Sequence, residues 1–520
     1  MTVSQRPICE PGRRTAVDGD PPAPSAEQPD AGPPHLALPG LELPDLGRLP
    51  IGPAPGLPVS GRAAVTFPYD GSLIAQAPVG DAELAERAVD IAHAGRGDVA
   101  GISTGTRRAV LAATAELITA HRDALVDLLV LETGKPLVDC RVEVDRTVLT
   151  WSLAAEEPAR LHGETVPVDL LPSAQGAVGY FTRRPAGVVA GIAGFNYPLM
   201  LASHKIAPAL AAGCPVIVKP APQTPLATLW LVGRVRALLA AEGAPEAAVQ
   251  LVTGGVEVGA ALTTDPRVAI VSFTGSAAVG HQIAKACAPR KALLELGSNA
   301  AMVVCADADL DAAVDAALRG GFYASGQACI SVQRLIVEEQ VAAQFTAALL
   351  ARLDEVVVGD PRDERTRVAA LIDPAATARV QHWLADAEQA GARTLAGGDP
   401  IGSALRPTVL SDVPTDQPAW REEIFAPVVA VATVPSVDAA FAMVNDSRYG
   451  LHAAVFTSSL RTAYAAIDTL EVGGVVINDV PGFRSDAMPY GGVKDSGIGR
   501  EGPRWAVEEF TVTRMAVIRP

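Results

Sequence analysis

Cys329 follows Gly326-Gln327-Ala328, in a run of small residues between a helical pattern (Leu310, Val314, Leu318) and the apolar run Leu335 to Val337. A cysteine on such a turn faces a cleft with backbone N–H groups beside it. Those groups favour thiolate over thiol and can donate to an oxyanion on a bound carbonyl. The plainer reading is a buried free cysteine, among the commonest core residues. Other usable groups stand where apolar runs end: Asn196 in Ala193-Gly-Phe-Asn-Tyr-Pro, Lys219 in Val218-Lys-Pro, and Glu295 in Leu294-Glu-Leu-Gly. Gly275 and Ser276, in Ser272-Phe-Thr-Gly-Ser-Ala, open a helix whose N–H groups can hold a phosphate. Singly these signals are weak. Asn196 also reads as a turn residue, Lys219 as a solvated tip, Glu295 as a cap or ion-pair partner, and Gly275…Gly280 as a common spacing.

The chain that must position them has 520 residues, 49% of them hydrophobic, enough for a large core and roughly three domains. A formal charge of −16 argues against a nucleic-acid or anionic-membrane partner. Six scattered cysteines without a C-x-x-C pair, and eight histidines without H-x-x-x-H spacing, make a poor disulfide framework and a poor metal site. The start, MTVSQRPICEPGRR, lacks the apolar core of a signal peptide, and no run approaches the length of a membrane span. A cytoplasmic protein is expected.

Residues 1–60 carry 14 of the 42 prolines and show no period, so a disordered tail is expected there. Asp81 is placed to cap a helix with Leu84, Ala88, Val89 and Ala92 on one face. Further helices are expected over 107–121, 123–131 and 138–159, the second stopped by Gly134 and Pro136. The alternating run from Val178 to Thr182 suggests a projecting hairpin suited to an oligomer contact. From 186 to 305, strands near 187–192, 215–218, 249–252, 268–273, 292–295 and 301–304 alternate with helices over 199–212, 225–241, 256–262 and 277–286. Near-continuous apolar strands with helices between them predict a parallel sheet covered on both faces, Rossmann-like, with ligands beyond the strands' carboxyl ends. No G-x-G-x-x-G follows the first strand. A second α/β pattern runs from 307 to about 478.

In order and spacing, GFNYP, VIVKPAPQTPL, SFTGSAAVG, LELGSNA, GQACISVQR, EEIFAPV, NDSRYGLHAAVF and MPYGGVKDSGIGRE closely resemble the NAD(P)-dependent aldehyde dehydrogenase superfamily, over about residues 65–515. The resemblance implies an α/β fold of two Rossmann-like domains plus an oligomerisation element. A dinucleotide-binding domain would span 61–166 and 186–297, a catalytic domain 298–490, and the hairpin and C-terminal strand 167–185 and 500–520. It implies a homodimer or homotetramer, NAD or NADP as cofactor, and a small aldehyde as substrate. Cys329 would attack the carbonyl, with Asn196 and the Cys329 N–H holding the oxyanion. Glu295 would activate water to hydrolyse the thioester, and Lys205 and Glu501 would relay protons. Lys219, Gly275, Ser276, Gly280, Gly297, Glu423 and Phe425 would hold the cofactor: Lys219 at the adenosine ribose, Ser276 at the pyrophosphate, Glu423 at the nicotinamide ribose.

Departures from the family's common pattern bear on specificity. Ala221-Pro222 replaces Ser-Glu, so a carboxylate that accepts from the adenosine ribose and repels a 2′-phosphate is missing, which leaves NADP open. Ser298-Asn299 replaces Gly-Lys, Phe195 replaces a tryptophan, and His204 replaces an aromatic residue, making the pocket wall more polar. In the loop from Pro481 to Met488, Arg484 could pair with an anionic substrate tail, as could Arg334 if it turns inward. Small hydroxylated or acidic aldehydes, such as lactaldehyde or a semialdehyde, are the favoured substrates. A CoA-acylating enzyme is the nearest alternative, against which Glu295 argues. A non-catalytic binding member is the other, against which the retained cysteine, glutamate, asparagine and lysine argue.

Overall fold

Val188–Ile192 is apolar throughout and fully buried, as a strand covered on both faces requires. It pairs in parallel with Val216–Lys219 on one side and with Val268–Thr274 on the other. Val249–Leu251 extends the first side and Lys291–Glu295 the second, with Gly497–Ile498 antiparallel at that edge. The sheet's first and fourth strands in chain order are therefore neighbours. Their connections leave in opposite directions, which opens a crevice beyond their carboxyl ends. The computed structural model in which this is seen describes residues 40–59 and 61–519.

Local signals explain the covering helices. The Asp81 carboxylate accepts from the Leu84 N–H at 2.9 Å and starts Ala82–Ala94. The helix expected from 107 begins earlier, at Thr104, because Ser103 caps it. The next, Arg122–Thr133, ends at Gly134 in the left-handed conformation that glycine adopts without penalty. Leu137–Glu156 follows.

The second sheet runs, in spatial order, Arg393–Ala396, Thr408–Ser411, Val428–Val434, Arg334–Glu338, Ala301–Val304, His452–Phe456 and Gly474–Ile477. Every neighbouring pair is parallel except the first. Alternate residues of Ala301–Val304 enter different apolar clusters: Ala301 and Val303 with Ile336 and Val455, Met302 and Val304 with Leu335 and Val337. That is the period of two expected of a strand buried on both faces.

A third sheet holds Val178–Pro185 between Thr511–Ile518 and Glu164–Val166, both antiparallel to it. Of the segments 167–185 and 500–520, expected to form an oligomerisation element, Val178–Pro185 and the strand after Phe510 pair in this sheet, with Glu164–Val166 beside them. Pro503–Glu509 is instead a helix, burying Ala506 and Val507. Among the described residues no helix is long and apolar enough to cross a membrane.

The tail expected over 1–60 is corrected from residue 40 onward; residues 1–39 lie outside the described part. Leu41, Leu49 and Ile51 are buried in the core of the first sheet. Arg48–Leu49 pairs with Leu57–Pro58, and the Gly52 N–H donates to the buried Gln250 Oε1 at 2.9 Å. Single anchors with partners far along the chain, rather than a periodic face, hold this segment. Replacing fully buried Ile51 with alanine should cost about 2–5 kcal/mol in chemical denaturation. An unchanged midpoint would show that the segment does not pack in solution.

Candidate active site

Strand Val188–Ile192 hands the chain to Gly194-Phe195-Asn196-Tyr197, and Pro198 then starts the helix Pro198–Ala212 at a position where no N–H is needed. The Glu143 carboxylate accepts from the Leu199 and Met200 N–H groups at 3.0 and 3.2 Å, where a negative charge complements the helix N-terminus. Buried Lys135 pairs with Glu143 and donates to the Asn196 carbonyl at 2.8 Å. The Asn196 backbone is therefore clamped from below. One N–H of its side-chain amide donates to the Gln327 carbonyl at 2.8 Å, and the second stays available.

Cys329 follows three successive residues with left-handed backbone, Ala324 (φ 49°), Ser325 (φ 57°) and Gly326 (φ 72°). Such a stretch is strained for the first two and persists only when its surroundings hold it. Here Asp139 accepts from the Ala324 N–H, Ser325 Oγ from the Ala369 N–H and Gln327 Oε1 from the Ile372 N–H, at 2.9, 2.9 and 3.0 Å. Gly326 is required, since a Cβ there would lie 2.0 Å from the Ala426 carbonyl oxygen. The cysteine sulfur emerges into a cavity of about 700 Å³, with the Tyr490 hydroxyl 3.1 Å away.

Glu295 ends its strand inside the same cavity, buried, with Oε2 unpartnered. Burial, and then the neighbouring charge of Glu501, raise its carboxyl well above the usual range. Glu501 has the opposite fate. Burial opposes its ionisation, yet Lys205, His204 and Arg484 together hold it well below the usual range. Lys205 Nζ lies 2.7 Å from one Glu501 oxygen, and His204 Nδ1 and Arg484 Nη2 lie 3.2 and 3.4 Å from the other. His204 Nε2 in turn reaches Asp486 at 3.2 Å, and Asp486 makes a two-point contact with Arg146.

On the other wall, Ser276 precedes the helix Ala277–Cys287 without making a side-chain cap. The first-turn N–H groups have no partner within the helix, which suits a pyrophosphate. Glu423 Oε1 accepts from the Ser298 N–H at 3.0 Å, and burial pushes its carboxyl up to about 7. A Cβ at Gly297 would lie 2.5 Å from Glu423 Oε2, so glycine is what lets the carboxylate approach. Lys219, buried at its strand end, has its amine lowered by burial against the pull of Glu257. An uncapped helix start, a fixed carboxylate and a buried amine fit a dinucleotide.

Cys329, Asn196, Glu295, Glu501, Gly275, Ser276, Gly297, Glu423 and Phe425 all line this one cavity. Lys205 stands behind it against Glu501, and Lys219 lies outside its lining. Gly280 sits within the helix Ala277–Cys287, where its missing Cβ admits Leu296. Two expectations are corrected. Arg334 does not turn inward: it is buried, donates to the Asn299, Met443 and Val444 carbonyls and lies over Trp420. Burial also outweighs the donors around Cys329 and pushes its thiol up to about 11, so the resting sulfur is protonated. Tyr490, Lys135 and Glu143 are contributors that spacing did not expose. Tyr490 stood inside a quoted motif, but its contact with the sulfur depends on the fold.

The model of the aldehyde dehydrogenase family matches residues 58–516. The chain belongs to the aldehyde dehydrogenase family. It is 40% identical to a 3-sulfolactaldehyde dehydrogenase of Priestia aryabhattai, over 79% of this chain and 86% of the relative. Among solved structures, aldehyde dehydrogenase 21 of Physcomitrella patens, in complex with its reaction product succinate, is 36% identical with a TM-score of 0.85. The match covers 89% of this chain and 96% of that one. Glyceraldehyde-3-phosphate dehydrogenase of Methanocaldococcus jannaschii, complexed with NADP, is 34% identical with a TM-score of 0.85, over 88% of this chain and all of the other. This aldehyde dehydrogenase is NAD(P)-dependent and oxidises a small aldehyde.

Replacing Glu501 with glutamine removes a like charge from Glu295 and leaves Lys205 unpaired, and both changes favour ionised Glu295. Any step that needs Glu295 deprotonated should then switch on at lower pH in stopped-flow kinetics. A shift to higher pH, or none, would contradict the coupling.

Proposed function

We propose that this aldehyde dehydrogenase oxidises a small acidic or hydroxylated aldehyde to its carboxylic acid through a thioester on Cys329, with Arg484 holding the polar tail. The observation that carries the substrate class is the state of Arg484. Its side chain is 5% exposed, lines the cavity, and has a buried Nε without a partner. In the cluster around it Arg146, Lys205 and Arg484 share the ionised carboxylates of Asp486 and Glu501, while Glu295 keeps its proton. The surplus is positive and favours an anion. The relatives' names agree in kind: sulfolactaldehyde, succinate and glyceraldehyde 3-phosphate all carry an anionic group.

In this reading the Cys329 thiol first loses its proton to solvent in the cavity; the thiolate then bonds to the aldehyde carbon, and the oxygen becomes an oxyanion held by the free Asn196 N–H and the Cys329 backbone N–H. A bound nicotinamide supplies the acceptor for the hydride that this carbon gives up. Glu295, once deprotonated, takes a proton from water as its oxygen attacks the thioester. The carbon–sulfur bond breaks, the acid leaves, and the proton passes toward Glu501 and Lys205. Ser276 would hold the pyrophosphate, with Gly275 before it, and Glu423 and Phe425 the nicotinamide end. Lys219 would take the adenosine ribose. Exposed Pro222 provides no carboxylate against a 2′-phosphate, so both NAD and NADP are expected to serve.

The third sheet exposes Val178, Tyr180, Val512, Met515, Val517 and Ile518, an apolar surface that a second copy of the chain would cover. A homodimer or homotetramer is proposed on that ground. The described cysteines are all free thiols, which suits the reducing cytoplasm.

The test is a comparison of kcat/KM for a dicarboxylic semialdehyde and a neutral aldehyde of equal length, with NAD and with NADP. Arg484→Met removes a charge that acts on Cys329 for every substrate, so the test reads the ratio: kcat/KM for the first should fall about ten- to a hundredfold relative to the second, the value of one hydrogen bond to a charged group. An unchanged ratio would remove the case for an acidic tail.

A further inference from the structure

The Tyr490 hydroxyl lies 3.1 Å from Cys329 Sγ, and the ring that carries it has no freedom to leave. Tyr490 is 2% exposed. Its backbone N–H donates to the Glu501 carbonyl at 3.0 Å and its carbonyl accepts from the Glu501 N–H at 2.6 Å. The His452 ring packs edge-on against it at 5.0 Å, and the Arg484 guanidinium covers its face 3.6 Å from the centroid.

Such a pair has two polarities. The phenol can accept from the S–H group, which stabilises the unreactive thiol, or donate to the sulfur, which stabilises the thiolate. Three observations favour donation. A cation on the ring face draws electron density from the phenol, weakening its oxygen as an acceptor and strengthening its O–H as a donor. Burial, with Cys329 beside it, holds the phenol well above its ordinary value, so it keeps the proton to donate. The sulfur also needs a donor: only the thiolate attacks, burial and the Glu423 charge oppose it, and Arg484 favours it. Tyr323, buried nearby, is neutral.

We propose that Tyr490 is a catalytic hydrogen-bond donor to the Cys329 thiolate, stabilising the sulfur before attack and weakening its hold once the sulfur is a neutral thioester. The inference rests on Cys329 being the nucleophile. Its link through the paired backbones of Tyr490 and Glu501 also fixes the phenol to the same segment as the proton relay.

The test is the pH dependence of iodoacetamide alkylation at Cys329, read by mass spectrometry, together with stopped-flow formation of reduced cofactor. In Tyr490→Phe the apparent thiol pKa should rise by about one to two units, equivalent to a ten- to hundredfold loss of thiolate at fixed pH. The burst of reduced cofactor should slow by a similar factor. A fluorinated, more acidic tyrosine at position 490 should move the thiol the other way. An unmoved or lowered thiol pKa in Tyr490→Phe overturns the proposal, as does a fluorinated phenol that raises it. If the native enzyme's activity survives complete alkylation of Cys329, the nucleophile assignment fails instead, and the two outcomes are distinct.

Discussion

Two buried carboxylates share one set of cations, and only one of them keeps its charge. Glu501 has Lys205 at 2.7 Å and takes it; Glu295, without a direct partner on Oε2, keeps a proton instead. Carboxyl groups in such a pair are driven apart because two like charges in a low-dielectric site cannot both be sustained. The division separates a carboxyl group that holds a proton near Cys329 from a charged carboxylate behind it. The proposed base, relay and substrate preference all rest on this one electrostatic arrangement.

The backbone provides the complementary constraint. Strand ends deliver Asn196 and Glu295, while the left-handed run before Cys329 turns the sulfur toward them. That run is held from two other segments, by the Asp139 carboxylate on one and by the Ala369 and Ile372 N–H groups on the other. Asn196 is fixed twice, through its carbonyl to Lys135 and through its amide to Gln327. The second contact ties the Asn196 amide to the carbonyl two residues before Cys329.

Much of this was legible in the sequence because strand exits carry their chemistry at fixed places. Apolar runs and capping residues such as Asp81 located the elements, and the order of the motifs located Cys329, Glu295 and Asn196. What was not legible depends on distance along the chain. Leu49 and Ile51 bury beside Gln250, 198 residues beyond Gly52, with no period to announce it. The direction of Arg334 is set by carbonyls of Asn299, Met443 and Val444. Tyr490 meets Cys329 across 161 residues. The ionisation of the thiol was misread for a related reason: backbone donors can be inferred from a local turn, whereas burial is a property of the whole fold.

The most direct measurement is a single-turnover experiment on Glu295→Gln with aldehyde and excess NAD(P), followed by intact-mass and peptide analysis. Removing the only ionisable function of that side chain should spare sulfur attack and hydride transfer but not hydrolysis. The account predicts a burst of one reduced cofactor per active subunit, slow turnover afterwards, and an acyl adduct on the peptide that contains Cys329. No burst, or a burst without an adduct on that peptide, would contradict it.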